Sequence, residues 1–114
     1  MQNIAEFRII GRVGKVDAKE KVSFIEIAAN YNRKDNDGNW QTDTHWNRVT
    51  CFHTLAQRAS KLEKGDLIHL TGRVRQTSWE KDGQRHYGVD LLAEKLGTIA
   101  KANGQGSDDS EGEE

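Results

Sequence analysis

Proline is absent from this chain of 114 residues, and cysteine and methionine occur once each. A lone Cys51 excludes an internal disulfide and suits a reducing compartment. There is no apolar run long enough to span a bilayer and no cleavable apolar leader, so the expectation is a cytoplasmic protein with no membrane partner. Apolar residues are scarce, at 34% with a mean hydropathy of -0.87, which permits one domain with a small core. Without proline, turns fall to the 11 glycines. Net charge is nearly absent too, at -1, but it is unevenly spread. Residues 1–101 hold all 17 Lys and Arg against 13 Asp and Glu, a balance of +4. Residues 102–114 hold Asp108, Asp109, Glu111, Glu113 and Glu114 and no base. A basic body with an acidic end points to a polyanionic partner.

What is present is an alternation of period two. Trp46, Arg48, Thr50 and Phe52 fall on one face of an extended segment, with Val49 and Cys51 on the other. The pattern recurs in Arg73, Arg75, Thr77 and Trp79, opposite Ile68, Leu70 and Val74. One face of each segment can enter a core. The other sets flat rings beside guanidinium groups where solvent is usually met by small or charged side chains. Such a surface stacks unpaired bases and holds phosphates, which indicates single-stranded nucleic acid.

The remaining pattern supplies an architecture. Phe7, Ile9, Gly11 and Val13 alternate with Arg8, Ile10 and Arg12 as a first strand, and Val22 to Ala29 form a second with Ile25, Ile27 and Ala29 inward. Residues 33–43 lack periodicity and contain Asp37-Gly38, a turn or hairpin tip. His45 to His53 form a third strand. A short helix follows, with Thr54 and Gln57 spaced as a capping box, Leu55, Ala59 and Leu62 on one face, and Gly65 as its C-terminal cap. Asp66 to Thr77 form strand four, Lys81-Asp82-Gly83 a turn, and Arg85 to Leu92 strand five. This order predicts an all-β fold with one short helix, the five-stranded Greek-key barrel of the OB fold, over residues 1–101. Residues 102–114 are expected to be a disordered acidic tail.

Gly11-Arg12-Val13-Gly14, Thr44-His45-Trp46-Asn47-Arg48-Val49, Phe52 before Leu55-Ala56, Leu62-Glu63-Lys64-Gly65-Asp66, and Gly72-Arg73-Val74-Arg75 through Trp79 to Gly83 and Tyr87 resemble the bacterial single-stranded DNA-binding protein family. The resemblance runs from about residue 3 to 99. It implies an OB fold that homo-oligomerises, usually as a tetramer with a dimer as the alternative. It also implies wrapping of single-stranded DNA with little sequence preference, in replication, recombination or repair. It places Trp46, Phe52 and Trp79 on base-stacking positions, with Tyr87 a further candidate in the matched stretch. The family's third stacking ring follows strand two, where Tyr31 stands slightly early and Trp40 slightly late. Two more features depart from the family. Asn47 replaces a common His of the subunit contact, and the tail ends Gly112-Glu113-Glu114 without the usual Pro and Phe, leaving recruitment of replication and repair proteins open.

Each candidate has a plainer alternative. Aromatics favour strands in any case, but Trp46 and Phe52 have the wrong parity for the core that takes Val49 and Cys51. Trp79 stands near a hairpin tip with little core to join. Trp40 could clamp a base or pack its loop, and Tyr31 has core parity if strand two runs on. Arg48, Arg73 and Arg75 share the aromatic faces and are the leading phosphate contacts. Arg33, Lys34, Lys81 and Arg85 are loop cations open to either phosphate or solvent. Cys51 and His53 share a strand face, but no second ligand pair follows at zinc spacing, so neither a metal nor any other cofactor is expected. Asp17 with Glu20, and Asp35 with Asp37, lack a positioned base or nucleophile, so no catalytic residue is assigned. The rivals to a DNA-coating protein are a helicase-contacting OB adaptor, a metal-dependent nuclease and an oligomeric scaffold.

Overall fold

The computed structural model describes residues 2–102, so all but the first residue of the predicted tail lies outside the described residues. The elements are β1 (Glu6–Ala18), β2 (Val22–Lys34), β3 (Trp40–Phe52), α1 (His53–Ala59), β4 (Leu67–Lys81) and β5 (Gln84–Ala100). The strands close into a barrel in the order β1-β2-β3-β5-β4. Neighbours run antiparallel except β3 and β5, whose parallel contact is the short pair Val49↔Leu91 and Thr50↔Leu92. The expected five-stranded barrel with one helix is therefore the observed fold.

Alternation builds the core. Ile25 and Ile27 of β2, Val49 and Cys51 of β3, and Ile68 and Leu70 of β4 point inward and are fully buried, with Val13 and Leu96 beside them. Each fully buried aliphatic side chain contributes roughly 1.5–3 kcal/mol. The helix plugs one end through Ala56 and Ala59, and Ser23 donates to the Ala56 carbonyl at 2.9 Å. Burial pushes the Cys51 thiol up to about 11, so it is a neutral core group at physiological pH.

Several sequence expectations need correction. All five strands are longer than predicted. β2, β3 and β4 gain the ends of two hairpins that continue beyond the core as paired but exposed ribbons, whose polar residues hide their periodicity. β1 runs on past Val13 to Ala18, and β5 continues past Leu92 to Ala100 along the barrel wall, where Leu96 is buried. The hairpin tip expected at Asp37-Gly38 is present, but the turn is shorter than the aperiodic stretch 33–43. Asp35 to Asn39 make the turn, and the flanking residues extend the ladder to Lys34↔Trp40. Thr54 and Gln57 form no capping box: the N-cap is Phe52, with no side-chain cap. His53, at φ 53, instead passes its N–H to the Lys21 carbonyl at the strand-to-helix corner. Gly65 does not cap the helix, which ends at Ala59 with Ser60 as its C-cap; its N–H bonds the Val13 carbonyl at 2.8 Å and joins the connection before β4 to β1. Asp66 is not a strand residue but a fully buried carboxylate in that connection. It accepts the N–H groups of Glu63 and Ala102, both at 2.9 Å, and the Lys101 ammonium at 2.8 Å. Burial alone would raise its pKa. The Lys101 bond and the two N–H groups outweigh that and hold it below the usual value.

Candidate nucleic-acid interface

Paired residues of neighbouring strands share a face, so register carries a surface around the barrel. On β3, Trp40, Thr42, Thr44, Trp46, Arg48, Thr50 and Phe52 have outward parity. The parallel pair Thr50↔Leu92 relates this parity to β5, and Leu92↔Arg73 relates it to β4, although Leu92 itself is buried between them. It continues through Arg75, Thr77 and Trp79 to Lys81. Trp40, Trp46, Phe52 and Trp79 are 68%, 59%, 44% and 48% exposed on this surface. A ring left that open beyond a small core is available to another flat molecule.

The two hairpin tips hold the outlying rings. Asp35 accepts the N–H groups of Asn39 and Asp37 and the Gln41 amide, and the Asn39 bond leads in lowering its pKa. This turn delivers Trp40 to the outer face, where Lys34 lies 5.4 Å from its ring centre. At the other tip, Asp82 and Gly83 both have positive φ, as a two-residue type I′ turn requires. That turn sets the register that brings His86 opposite Trp79, stacked with centroids 5.8 Å apart and planes 20° apart.

The structure does not bring every candidate together. Tyr31 lies on the opposite face of its hairpin, edge-on to His45 at 5.2 Å, and Arg33 follows it there. Tyr87 and Arg85 lie on the face of the β4–β5 ribbon opposite Trp79. Lys34, Arg48, Arg73, Arg75 and Lys81 share the outer face with the tryptophans.

The arginines are not free cations. Arg48 bonds Glu26 at 3.1 Å, Arg73 meets Glu94 at 2.9 Å, and Arg75 meets Asp90 at 2.9 Å. Arg33 pairs with Asp43 at 2.7 Å and Arg85 with Glu80 at 3.5 Å. All are exposed pairs, which contribute little to stability and can exchange a carboxylate for a phosphate. Phe24, which the sequence reading missed, lies 4.3 Å beneath the Arg48 guanidinium. Its outward parity on strand two, the same kind that singles out Trp46, was the available signal. His86 was also missed, although counting back from a two-residue turn would have found it. Among the described residues no group of His, Cys, Asp and Glu is placed to hold a metal ion, and no helix is long and apolar enough to cross a membrane.

A five-stranded closed barrel with one short helix is an OB fold, an architecture that binds oligonucleotides or oligosaccharides, and here its outer face carries open rings and arginines. Residues 4–99 match the Single-strand binding protein family, and the chain belongs to that family. The single-stranded DNA-binding protein of Aquifex aeolicus is 31% identical over 83 residues, covering 70% of this chain and 56% of that one. Single-stranded DNA-binding protein 1 of Chlorobaculum tepidum is 27% identical over 112 residues, covering 90% and 69%. The chain spans about half the length of the first curated relatives it matches. Among solved structures, a Plasmodium falciparum SSB in complex with ssDNA superposes with a TM-score of 0.69 at 18% identity, covering 86% of this chain and 96% of that one. A deletion mutant of the Thermus aquaticus single-stranded DNA-binding protein gives 0.72 at 24%, covering 90% and 52%. These likenesses establish the fold.

Proposed function

We propose that this chain binds and coats single-stranded DNA with little sequence specificity, as a cytoplasmic protein of bacterial replication, recombination or repair. The observation that carries the reading is the shared outer face of Trp40, Trp46, Phe52 and Trp79, each open to solvent. Stacking is blind to base identity because every base offers a π-face, while Lys34, Arg48, Arg73, Arg75 and Lys81 on the same face meet phosphates. Arg33, Arg85, Tyr31 and Tyr87, on opposite faces, act in DNA binding only where the strand wraps around a hairpin.

The chain also acts as a homo-oligomer, a tetramer or a dimer. Glu6 to Gly11 of β1 pair with β4 on one side only, and β2 joins from Arg12 onward. A strand edge with unpaired backbone groups invites a second strand, and a copy of the same chain supplies one by two-fold symmetry. An open groove of about 550 Å³ lies along this edge, with Arg8, Ile10, Tyr31 and His45 in its wall.

The test is anisotropy of fluorescein-labelled oligo-dT of several lengths against a duplex of equal length, with mass by light scattering. Tight binding to oligo-dT, weak binding to duplex and a multimeric mass are expected. Equal affinity for duplex, or no binding to oligo-dT, overturns the DNA reading, and a monomer at micromolar concentration overturns the assembly.

A further inference from the structure

We infer that Gly14 is the seat of the Trp46 indole, and that the cleft beside it is a nucleotide subsite in which Lys15 and Lys64 take the phosphate. The inference rests on the single-stranded DNA reading and locates one subsite within that surface.

The seat begins with a β-bulge. Val13 pairs with Ile27 and Lys15 with Glu26, so Gly14 is an extra residue with no partner on β2. Bulges re-aim neighbouring side chains and recur next to functional sites. Across the sheet on the same outer face, Trp46 pairs with Ala28, whose small side chain leaves room for the ring to reach over β2 toward β1. The far edge of the ring comes down on Gly14. A Cβ built there would overlap Trp46 Cζ3 and stand only 2.7 Å from Cη2. No side chain larger than hydrogen leaves the indole where it lies. One edge of the ring is therefore fixed against backbone while 59% of the residue stays exposed to receive a base.

The charge around the seat selects the phosphate contacts. A cleft of about 410 Å³ opens between Trp46, Gly14, Lys15, Glu26 and Lys64. Glu26 is already held by Arg48, at 3.1 Å. Among the described residues neither Lys15 nor Lys64 makes an ion pair. A phosphate entering beside a base stacked on Trp46 meets these ammonium groups without displacing a carboxylate, whereas at Arg48 it must compete with Glu26. Trp79 has a looser version of the same seat. A Cβ on Gly88 would lie 3.2 Å from Trp79 Cζ3, a contact that a small shift of the ring relieves.

The test compares full-length wild type, Gly14→Ala, Trp46→Ala, the double variant and Gly88→Ala by anisotropy of labelled oligo-dT. Thermal unfolding is followed in parallel. Gly14→Ala should stay folded, because the added methyl meets only the outer edge of a solvent-exposed ring that can tilt away from the sheet, and should weaken binding about 5- to 100-fold, the range for losing one stacked base. The double variant should bind no worse than Trp46→Ala alone, since Gly14 acts through the ring, and Gly88→Ala should lose far less. Wild-type affinity in Gly14→Ala, or additive losses in the double variant, overturns the seat while leaving the DNA reading standing. Should Gly14→Ala fail to fold, Lys15→Gln and Lys64→Gln carry the test. Each should flatten the log–log salt dependence by about 0.7, and an unchanged slope overturns the subsite. Failure of wild type itself to bind oligo-dT overturns the function and the subsite together.

Discussion

Replacing Asp66 with alanine should destabilise this barrel more than any surface change. The carboxylate is fully buried and accepts two backbone N–H groups and an ammonium. Its own backbone carbonyl accepts the Val13 N–H at 2.9 Å, so the residue ties the connection before β4 to β1. Alanine leaves the Glu63 and Ala102 N–H groups without their acceptor; both residues are solvent-exposed and the bonds only half-buried, so each costs about 1 kcal/mol or a little more, the low end of the range for an unpaired donor. Lys101 retains 31% side-chain exposure and rehydrates, so its loss adds about 1 kcal/mol. The sum is about 3–4 kcal/mol. For a domain of this size that corresponds to a drop in Tm of about 15–25 °C, read by circular dichroism at fixed protein concentration. The pH dependence follows from the lowered pKa. A carboxylate depressed in the folded state adds stability above its unfolded value, near 3.9, and loses it as pH falls through the folded value. Wild type should therefore exceed Asp66→Asn in stability near neutrality and converge with it in acid. A Tm loss below about 5 °C for Asp66→Ala, or a gap to Asp66→Asn that persists at the lowest pH, would refute this account.

Three further outcomes follow from the interface. Trp46→Ala, Phe52→Ala and Trp79→Ala should each weaken oligo-dT binding by about 1–3 kcal/mol with folding intact, and Tyr87→Ala should cost less because it lies on the other face; lost folding with unchanged affinity would make the rings structural. Arg73→Gln should flatten the log–log salt slope by about 0.7, and an unchanged slope, measured by titration at several salt concentrations, would strike Arg73 from the phosphate contacts. Deleting residues 104–114 removes all five tail acids yet keeps Ala102 on Asp66; it should tighten binding at low salt and change little near about 1 M salt, where the Debye length falls to about 3 Å. Equal low-salt affinities would show that the acids do not compete with DNA.

Alternation is local, so the sequence alone established the outward parity of Trp46, Arg48, Phe52, Arg73, Arg75 and Trp79. It also established the inward set of Ile25, Ile27, Val49, Cys51, Ile68 and Leu70 and the order of strands and helix along the chain that an OB barrel uses, since period two and turn residues are read within a few positions. Pairing between distant strands decided the rest. Trp40 rather than Tyr31 joined the Trp46 face only because the β2–β3 ladder runs on to Lys34↔Trp40, through residues too polar to show a period. Glu26, Asp90 and Glu94 reached their arginines through register across strands, which no spacing along the chain reveals. The capping-box pattern at Thr54 and Gln57 was locally sound and lost to the corner at His53, where β3 turns into the helix. Gly14 reads in sequence as one glycine among others. It became a seat because a bulge on β1 and an indole from β3 meet there, and only closure of the barrel brings those strands together.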